Sequence, residues 1–416
     1  MSVAHLGNAA RQVRWLQAAT GVSAFGSRIS ELALPLVALT VLDSTAFEVG
    51  ALSSAALIPN LVLGVPAGTW IEAMRPRRLM LVCDAGRAAV LLTIPLAFMA
   101  GLLTFLHLLL AALVVGCLTV FSDLASTSYL PRLVGLDQLV AARSRQVSLM
   151  QSADVAGRPL AGMLIGIAGA ARAVTGDAMT YLVSFLFVRR LPELEPTGAD
   201  PRATFLSRLR EGASFAWSNT VNRRIVLEGA HYNVFYQAFI VGFMVHAAAE
   251  LHWSPTQIGI ALGASSLGAV VGSELGPKLA SRIGIGPTIL RALLVADAAT
   301  ILVPTFIGDS WLAFAAVCLT FAVMGAGSLL SGVVAGTLNR AVTPENVYSR
   351  VLGANRVLTR GGTALGGLLG GLLLTVLTPH VALFICAGGM CVAVGWVLSP
   401  QITSVKSLDD AKGCLG

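Results

Sequence analysis

The chain reads as an all-α polytopic membrane protein: twelve transmembrane helices in two pseudo-symmetric six-helix bundles. Three observations predict this. Hydrophobic residues make up 56% of the 416 positions and charged residues only 12%, about half the charge of a soluble domain, so most of the surface cannot face water. Apolar runs of about 20 residues, long enough to span a bilayer, recur from end to end without the polar alternation of a membrane barrel. Basic residues cluster in every second connection, the pattern of the positive-inside rule.

In chain order, the first run, 15–41, follows Arg11 and Arg14, which places the N-terminus in the cytoplasm. A second, 47–70, returns the chain to Arg75, Arg77 and Arg78. Runs at 78–100 and 103–128 go out and back, ending at Arg132, Arg143 and Arg145. Runs at 146–170 and 173–189, separated only by a weak break at Ala170–Ala173, end at Arg189 and Arg190. Six more follow at 225–249, 257–280, 287–307, 311–337, 353–377 and 381–399. Their inside connections carry Lys278 and Arg282, then Arg340, Arg350, Arg356 and Arg360, then Lys406 and Lys412. Among the outside loops only Arg172 is basic, while Arg28, Arg87, Arg158 and Arg291 fall within spans. An odd number of helices would scramble this alternation.

This pattern divides the chain into a bundle at 1–190, a linker at 191–224, a second bundle at 225–400 and a cytoplasmic tail at 401–416. The linker begins with a Pro- and charge-bearing stretch, RRLPELEPTGADPR. FLSRLREGASFAW follows, where Phe205, Leu209 and Ala216 share one apolar helical face, so a short helix lying on the membrane surface is expected. The halves also resemble each other. Val134 and Val342, Asp137 and Glu345, Gly162 and Gly370, Gly64 and Gly272, and Gly68 and Gly276 are related by one constant offset of half the chain. Two parallel repeats around a midplane site is an architecture of secondary transporters.

The formal charge of +7 would suggest nucleic acid in a soluble protein; here it lies in the inside loops, and no nucleic-acid partner is expected. Cys83, Cys117, Cys318, Cys386 and Cys391 sit in apolar runs and Cys414 in the tail, without metal-site spacing, so they read as small hydrophobes. The N-terminal MSVAHLGNAARQVRW has no apolar core with a cleavage site, so no cleaved signal is expected. No phosphate-binding loop, metal cluster or nucleophile–base set is present. Neither an enzyme nor a cofactor is expected.

The stretch GTWIEAMRPRRLMLVCDAGRA, 68–88, resembles the signature loop of the major facilitator superfamily, with Gly68, Glu72, Arg77 and Arg78 in its frame. Glu72 stands where that family usually has Asp, and Ala73 where it has Arg. The stretch is similar to the branch of macrolide-efflux and enterobactin-export proteins, as are GSRISELALPL, SYLPRLVGLDQLVAARS, GDAMTYLVSFLF and SRVLGANRVLTRGGTALGGLLGG. In helix five, AGRPLAG puts Arg158 where exporters of the superfamily often carry the proline of a Gly-Pro motif. The resemblance implies a central cavity lined by helices one, four, seven and ten.

Ionisable residues inside a span cost about 2.5–3.5 kcal/mol each on insertion scales, which singles out several. Arg28 and Glu31 lie three apart on one face of the first helix, with Pro35 a turn beyond; Asp154 and Arg158 share a polar stripe with Gln151 on the fifth. These four are the proton-coupling candidates, against the alternative of ion pairs that fix helix packing. Glu228, Tyr232 and Tyr236 form one stripe on the seventh helix, with Asn233 and Gln237 beside it. They are the substrate-binding candidates for an amphipathic ligand. Gly68, Glu72, Arg75, Arg77, Arg78, Asp84 and Arg87 are the gating candidates. Asp177, Glu274 and Asp297 read as structural acids, with Asp297 six residues from Arg291, a poor helical spacing. Gly64 and Gly68, Gly268 to Gly276 and Gly362 to Gly370 recur every four residues, which lets helices approach closely.

The expectation is a monomeric, proton-coupled exporter of an amphipathic small molecule such as an antibiotic, drug or siderophore. It would sit in the cell inner membrane with both termini cytoplasmic. An importer or lipid-type flippase on the same fold is the nearest alternative; a non-transporting receptor or scaffold is the remote one.

Overall fold

Twelve long helical segments follow one another with no strand among the described residues, which in this computed structural model are 3–63, 74–134, 136–195, 214–306, 310–407 and 410. The first six are α1 (Val3–Val41), α2 (Ala46–Ala55 continued by Ile58–Leu63), α3 (Pro76–Met99), α4 (Phe105–Leu133), α5 (Leu136–Ala168) and α6 (Ala170–Val188). The second six are α7 (Thr220–Val245), α8 (Pro255–Ile283), α9 (Ile285–Thr300 continued by Leu302–Phe306), α10 (Trp311–Val342), α11 (Glu345–Val376) and α12 (Pro379–Ala393). Each expected span has its helix. The linker stretch around Phe205 and Leu209, together with Gly64, Gly68 and Glu72, lies outside the described residues.

Among the described residues nine helices are long and apolar enough to cross a membrane. The other three, α5 to α7, are interrupted by more polar groups: Asp154 and Arg158, Arg172 and Asp177, and Arg223, Arg224 and Glu228. Large apolar side chains point outward along the bundle, as Leu106, Leu110 and Val114 do on α4 and Leu312 and Leu319 on α10. Such a surface suits lipid rather than water.

The helix ends follow from local chemistry. Thr45 and Glu48 form a capping box at the start of α2: the Thr45 N–H donates to Glu48 Oε2 at 2.7 Å and the Glu48 N–H to Thr45 Oγ1 at 3.3 Å. Ser254 and Gln257 repeat the device at the start of α8, at 2.8 and 3.3 Å. The same cap at the same place in each half fits the internal repeat. Gly169, at φ +81°, makes the sharp joint between α5 and α6, a conformation that costs glycine little. The break therefore falls one residue ahead of the expected Ala170–Ala173. α7 ends in a π-helical turn, His246–Glu250, where His246 Nδ1 lies 2.6 Å from Glu250.

Two compact units result, one of Met1–Ser44, Ala55–Phe205 and Ser254–Gly259, the other of Thr45–Ser54, Leu206–Trp253 and Ile260–Gly416. The first has a core of Leu16, Met80, Tyr129, Leu130 and Val188. The second packs Ile289, Leu293, Val334, Leu338 and Val397. The described glycine stripes, on α8 and α11, do what their spacing predicts. A Cβ on Gly272 of α8 would fall 2.0 Å from the Ala326 carbonyl of α10, and one on Gly366 of α11 would fall 2.2 Å from the Val234 carbonyl of α7. Cys83, Cys117, Cys318, Cys386 and Cys391 are free thiols.

Candidate functional site

The first unit carries a polar network through its helices. Arg28 of α1 forms an ion pair with Glu31 one turn away and a second with Asp154 of α5, Nε to Oδ1 3.3 Å. Gly157 of α5 makes room for it, since a Cβ there would come 2.9 Å from Arg28 Cγ. Next to this cluster, the Ser30 hydroxyl donates to Asp177 of α6, whose side chain is 1% exposed. Ser27 shares a 3.0 Å hydrogen bond with Tyr181. Arg87 of α3 lies over the Tyr181 ring, 4.1 Å from its centroid. The guanidinium also pairs with Asp84 and donates to Ser122 at 3.0 Å, while Ser184 donates to Asp84 at 2.8 Å.

The structure thus joins Arg28, Glu31 and Asp154, and it gives Asp154 a partner on α1. Asp84 and Arg87 are buried inside the unit, among α3, α4 and α6. The described arginines among the gating candidates behave differently. Arg77 donates to Glu193 at 2.9 Å and to the Arg189 carbonyl at 2.7 Å. Arg78 lies 3.6 Å from Glu193 and Arg75 3.5 Å from Glu195. Tyr129 anchors the same segment through a 2.5 Å hydrogen bond to the Pro192 carbonyl. The arginine turn is therefore clasped by the segment leaving α6.

In the second unit the α7 candidates divide between two faces. Tyr232 and Tyr236 stack with centroids 5.6 Å apart, and the Tyr232 hydroxyl meets Ser328 of α10 at 2.8 Å. Asn233 turns to α11, where Thr363 donates to its Oδ1 at 3.2 Å. Gln237 lies on that side too, against Gly366. Glu228 is half-buried on the tyrosine side, within electrostatic reach of Asp297 on α9. Asp297 is fully buried while Arg291 is exposed, so the six-residue spacing leaves them on different faces.

Sequence reasoning missed Glu193 and Glu195, although the PELE run beside RR was in view. It also missed Ser184, which bonds Asp84, Ser30 and Thr180, which bond Asp177, and Tyr181 beside them. Ser27 and Ser30 flank Arg28, and Tyr181 follows Asp177 by four, so that polar clustering was the available signal. Among the described residues no group of three or more His, Cys, Asp and Glu side chains is placed to hold a metal ion.

Residues 4–413 match the family described as transmembrane secretion effector. The enterobactin exporter EntS of Citrobacter koseri is 28% identical over 67% of this chain and 65% of its own length. EntS of Escherichia coli O1:K1 is 28% identical over 62% and 61%. The chain therefore matches a little under two thirds of the length of these curated relatives. The multidrug efflux pump Tap of Mycobacterium bovis is 24% identical over 94% of this chain and 93% of its own. Among solved structures, a bacterial homologue of the iron transporter ferroportin in its inward-facing state superposes with a TM-score of 0.74 at 13% identity. It covers 96% of this chain and 100% of the other. The nucleoside transporter NupG gives 0.71 at 16% identity over 93% and 98%. These likenesses agree in fold with the helix order above, and the family match runs through both units: the chain belongs to the transmembrane secretion effector family of the major facilitator superfamily.

Proposed function

We propose that this protein is a secondary active exporter of an amphipathic small molecule, driven by proton entry and working by alternating access. Its relatives named as exporters and efflux pumps favour outward transport, and the basic inside connections favour an inner-membrane orientation with both termini cytoplasmic. The observation that carries the coupling is Arg28 held between Glu31 and Asp154. Within this triad one cation faces two carboxylates, a net charge of −1 before Arg158, one turn from Asp154 on α5, is counted. A proton on either carboxylate neutralises the cluster and lowers the cost of moving it between states.

The energetics suffice. One proton crossing ~100 mV supplies about 2.3 kcal/mol and one pH unit adds about 1.4. Together they sustain a neutral-substrate gradient of a few hundredfold, at about 1.4 kcal/mol per tenfold. Tyr232 and Tyr236 supply the aromatic faces for an amphipathic ligand, with Glu228 beside them, while Asn233 and Gln237 serve the α11 side. Arg158 of α5 belongs to the coupling set through its place one turn from Asp154. Gly68, Glu72, Arg75, Arg77 and Arg78 form the gate, with Asp84 and Arg87 as its buried foundation.

The test is transport of a panel of amphipathic antibiotics and dyes in everted membrane vesicles. Accumulation that collapses on adding a protonophore supports the reading. Flux in the opposite direction, or flux indifferent to the protonophore, overturns it.

A further inference from the structure

The second unit contains an acid that the coupling cluster does not use. Asp297 of α9 is 0% exposed, and neither of its carboxylate oxygens has a hydrogen-bond partner. No cation lies within ion-pair distance of it among the described residues. Arg291, the other charged residue of α9, is on the exposed face. Arg340 of α10 is engaged with Glu345 at 3.1 Å and over the Tyr348 ring at 4.3 Å. On α7, Arg223 and Arg224 donate to the Trp217 and Trp396 carbonyls. The titratable groups that do face Asp297 are Glu228 and Tyr232 of α7 and Cys391 of α12, none of which brings a positive charge.

An ionised carboxylate taken out of water needs a counter-charge or several donors, and here it has neither. A carboxylic acid has no charge to compensate. Among the described residues no group of three or more His, Cys, Asp and Glu side chains is placed here to hold a metal ion. We propose that Asp297, acting with Glu228, is a second proton-binding site. It lies in the other unit from Arg28, Glu31 and Asp154, and is loaded and unloaded during the transport cycle. The chemistry is addition of a proton to one carboxylate oxygen and its removal; no other bond changes. Glu228, half-buried on α7, is the nearer of the two to open space. Tyr232, bonded to Ser328 and in reach of both acids, links them to the tyrosine pair assigned to the ligand. The cycle part of this proposal rests on the exporter reading; the proton site does not.

The test is infrared spectroscopy of the purified full chain in lipid nanodiscs, titrated from about pH 5 to about pH 9, which brackets ordinary and perturbed carboxyl groups. A carboxylic-acid C=O component distinct from that of the buried Asp177, which Asp177→Asn identifies, is expected at neutral pH in the wild-type protein, lost in Asp297→Asn and retained in Glu31→Gln. Glu228→Gln shifts the pH at which the band disappears. The proposal is overturned by absence of the band in wild-type protein, by its persistence in Asp297→Asn, or by a Glu228→Gln titration that matches wild type. Where Asp297→Asn does not fold, Asp297→Glu, which keeps the carboxyl and shifts its band, assigns the component instead, and an unshifted band overturns the proposal. Dye transport in vesicles separates the two readings. Protonophore-insensitive flux with the band intact removes the exporter coupling and leaves the site, whereas coupled flux unchanged by Asp297→Asn removes the site's part in the cycle.

Discussion

Arg28 of α1 holds two carboxylates at once, Glu31 on its own helix and Asp154 on α5 at 3.3 Å. The consequence is a shared charge whose balance changes with one proton. Glu31→Gln removes the acid that is more exposed, 54% against 32% for Asp154, and leaves Arg28 neutralised by Asp154. Protonophore-sensitive efflux is expected to fall by about tenfold or more, equivalent to about 1.4 kcal/mol, while passive downhill flux continues. Vesicle transport with and without an imposed pH gradient checks this; unchanged driven efflux removes Glu31 from the coupling.

Helix approach in the second unit makes a sharper stability prediction. A Cβ on Gly268 would sit 1.8 Å from the Ala322 carbonyl oxygen, whereas one on Gly336 meets nothing within 4 Å. Gly268→Ala must push α8 away from α10, at a cost of about 1–3 kcal/mol for overpacking. Gly336→Ala is expected to be neutral or stabilising, by up to about 1 kcal/mol from helix propensity. Thermal unfolding of the two purified variants in detergent compares them directly, and equal midpoints would contradict the helix contact.

The Tyr232–Ser328 hydrogen bond separates two roles for the α7 stripe. Tyr232→Phe loses the 2.8 Å bond to α10 and keeps the ring stacked on Tyr236. Its stability cost is about 1 kcal/mol. If the rings hold the ligand by their faces, dye affinity is essentially unchanged in Tyr232→Phe, which keeps the ring. Tyr232→Leu then weakens binding by about 2- to 13-fold, the ~0.5–1.5 kcal/mol of the face contact. Fluorescence titration with a transported dye measures both, and equal losses would show that the hydroxyl is the recognition group.

Much of the fold was legible in the sequence because lipid imposes a one-dimensional code. Length and apolarity mark each span, and Arg75, Arg77 and Arg78 mark a side of the membrane. Local pairs were legible too, as Arg28–Glu31 and Asp84–Arg87 both show, because a three-residue spacing on a helix is a contact. What was not legible depended on neighbours distant in the chain. Asp154 pairs with Arg28 on another helix, since Gly157 lets α1 come close. The side chains of Asn233 and Tyr232 are adjacent in sequence and face different helices, α11 and α10. Asp297 looked like an ordinary structural acid until its surroundings proved to offer no donor.

Asp84 and Arg87 give the last prediction, one that decides whether the conspicuous charge beyond the arginine turn works as a moving gate or as a fixed foundation. Both side chains are buried, 1% and 4% exposed, and Arg87 is further held by Ser122 and by the Tyr181 ring. Asp84→Asn leaves that guanidinium without its counter-charge, which costs about 3–5 kcal/mol for a buried pair. Removing both charges together, in Asp84→Asn with Arg87→Met, restores much of the loss, because no uncompensated ion remains. Melting midpoints followed by size-exclusion chromatography should therefore fall steeply for the single variant and recover in the double. The exposed pairs of the arginine turn should behave otherwise: Arg78→Ala, at a side chain 66% exposed, changes stability by less than about 1 kcal/mol. A steep loss that the double variant fails to recover would mean that Arg87 itself is required, through Ser122 and Tyr181 rather than through Asp84.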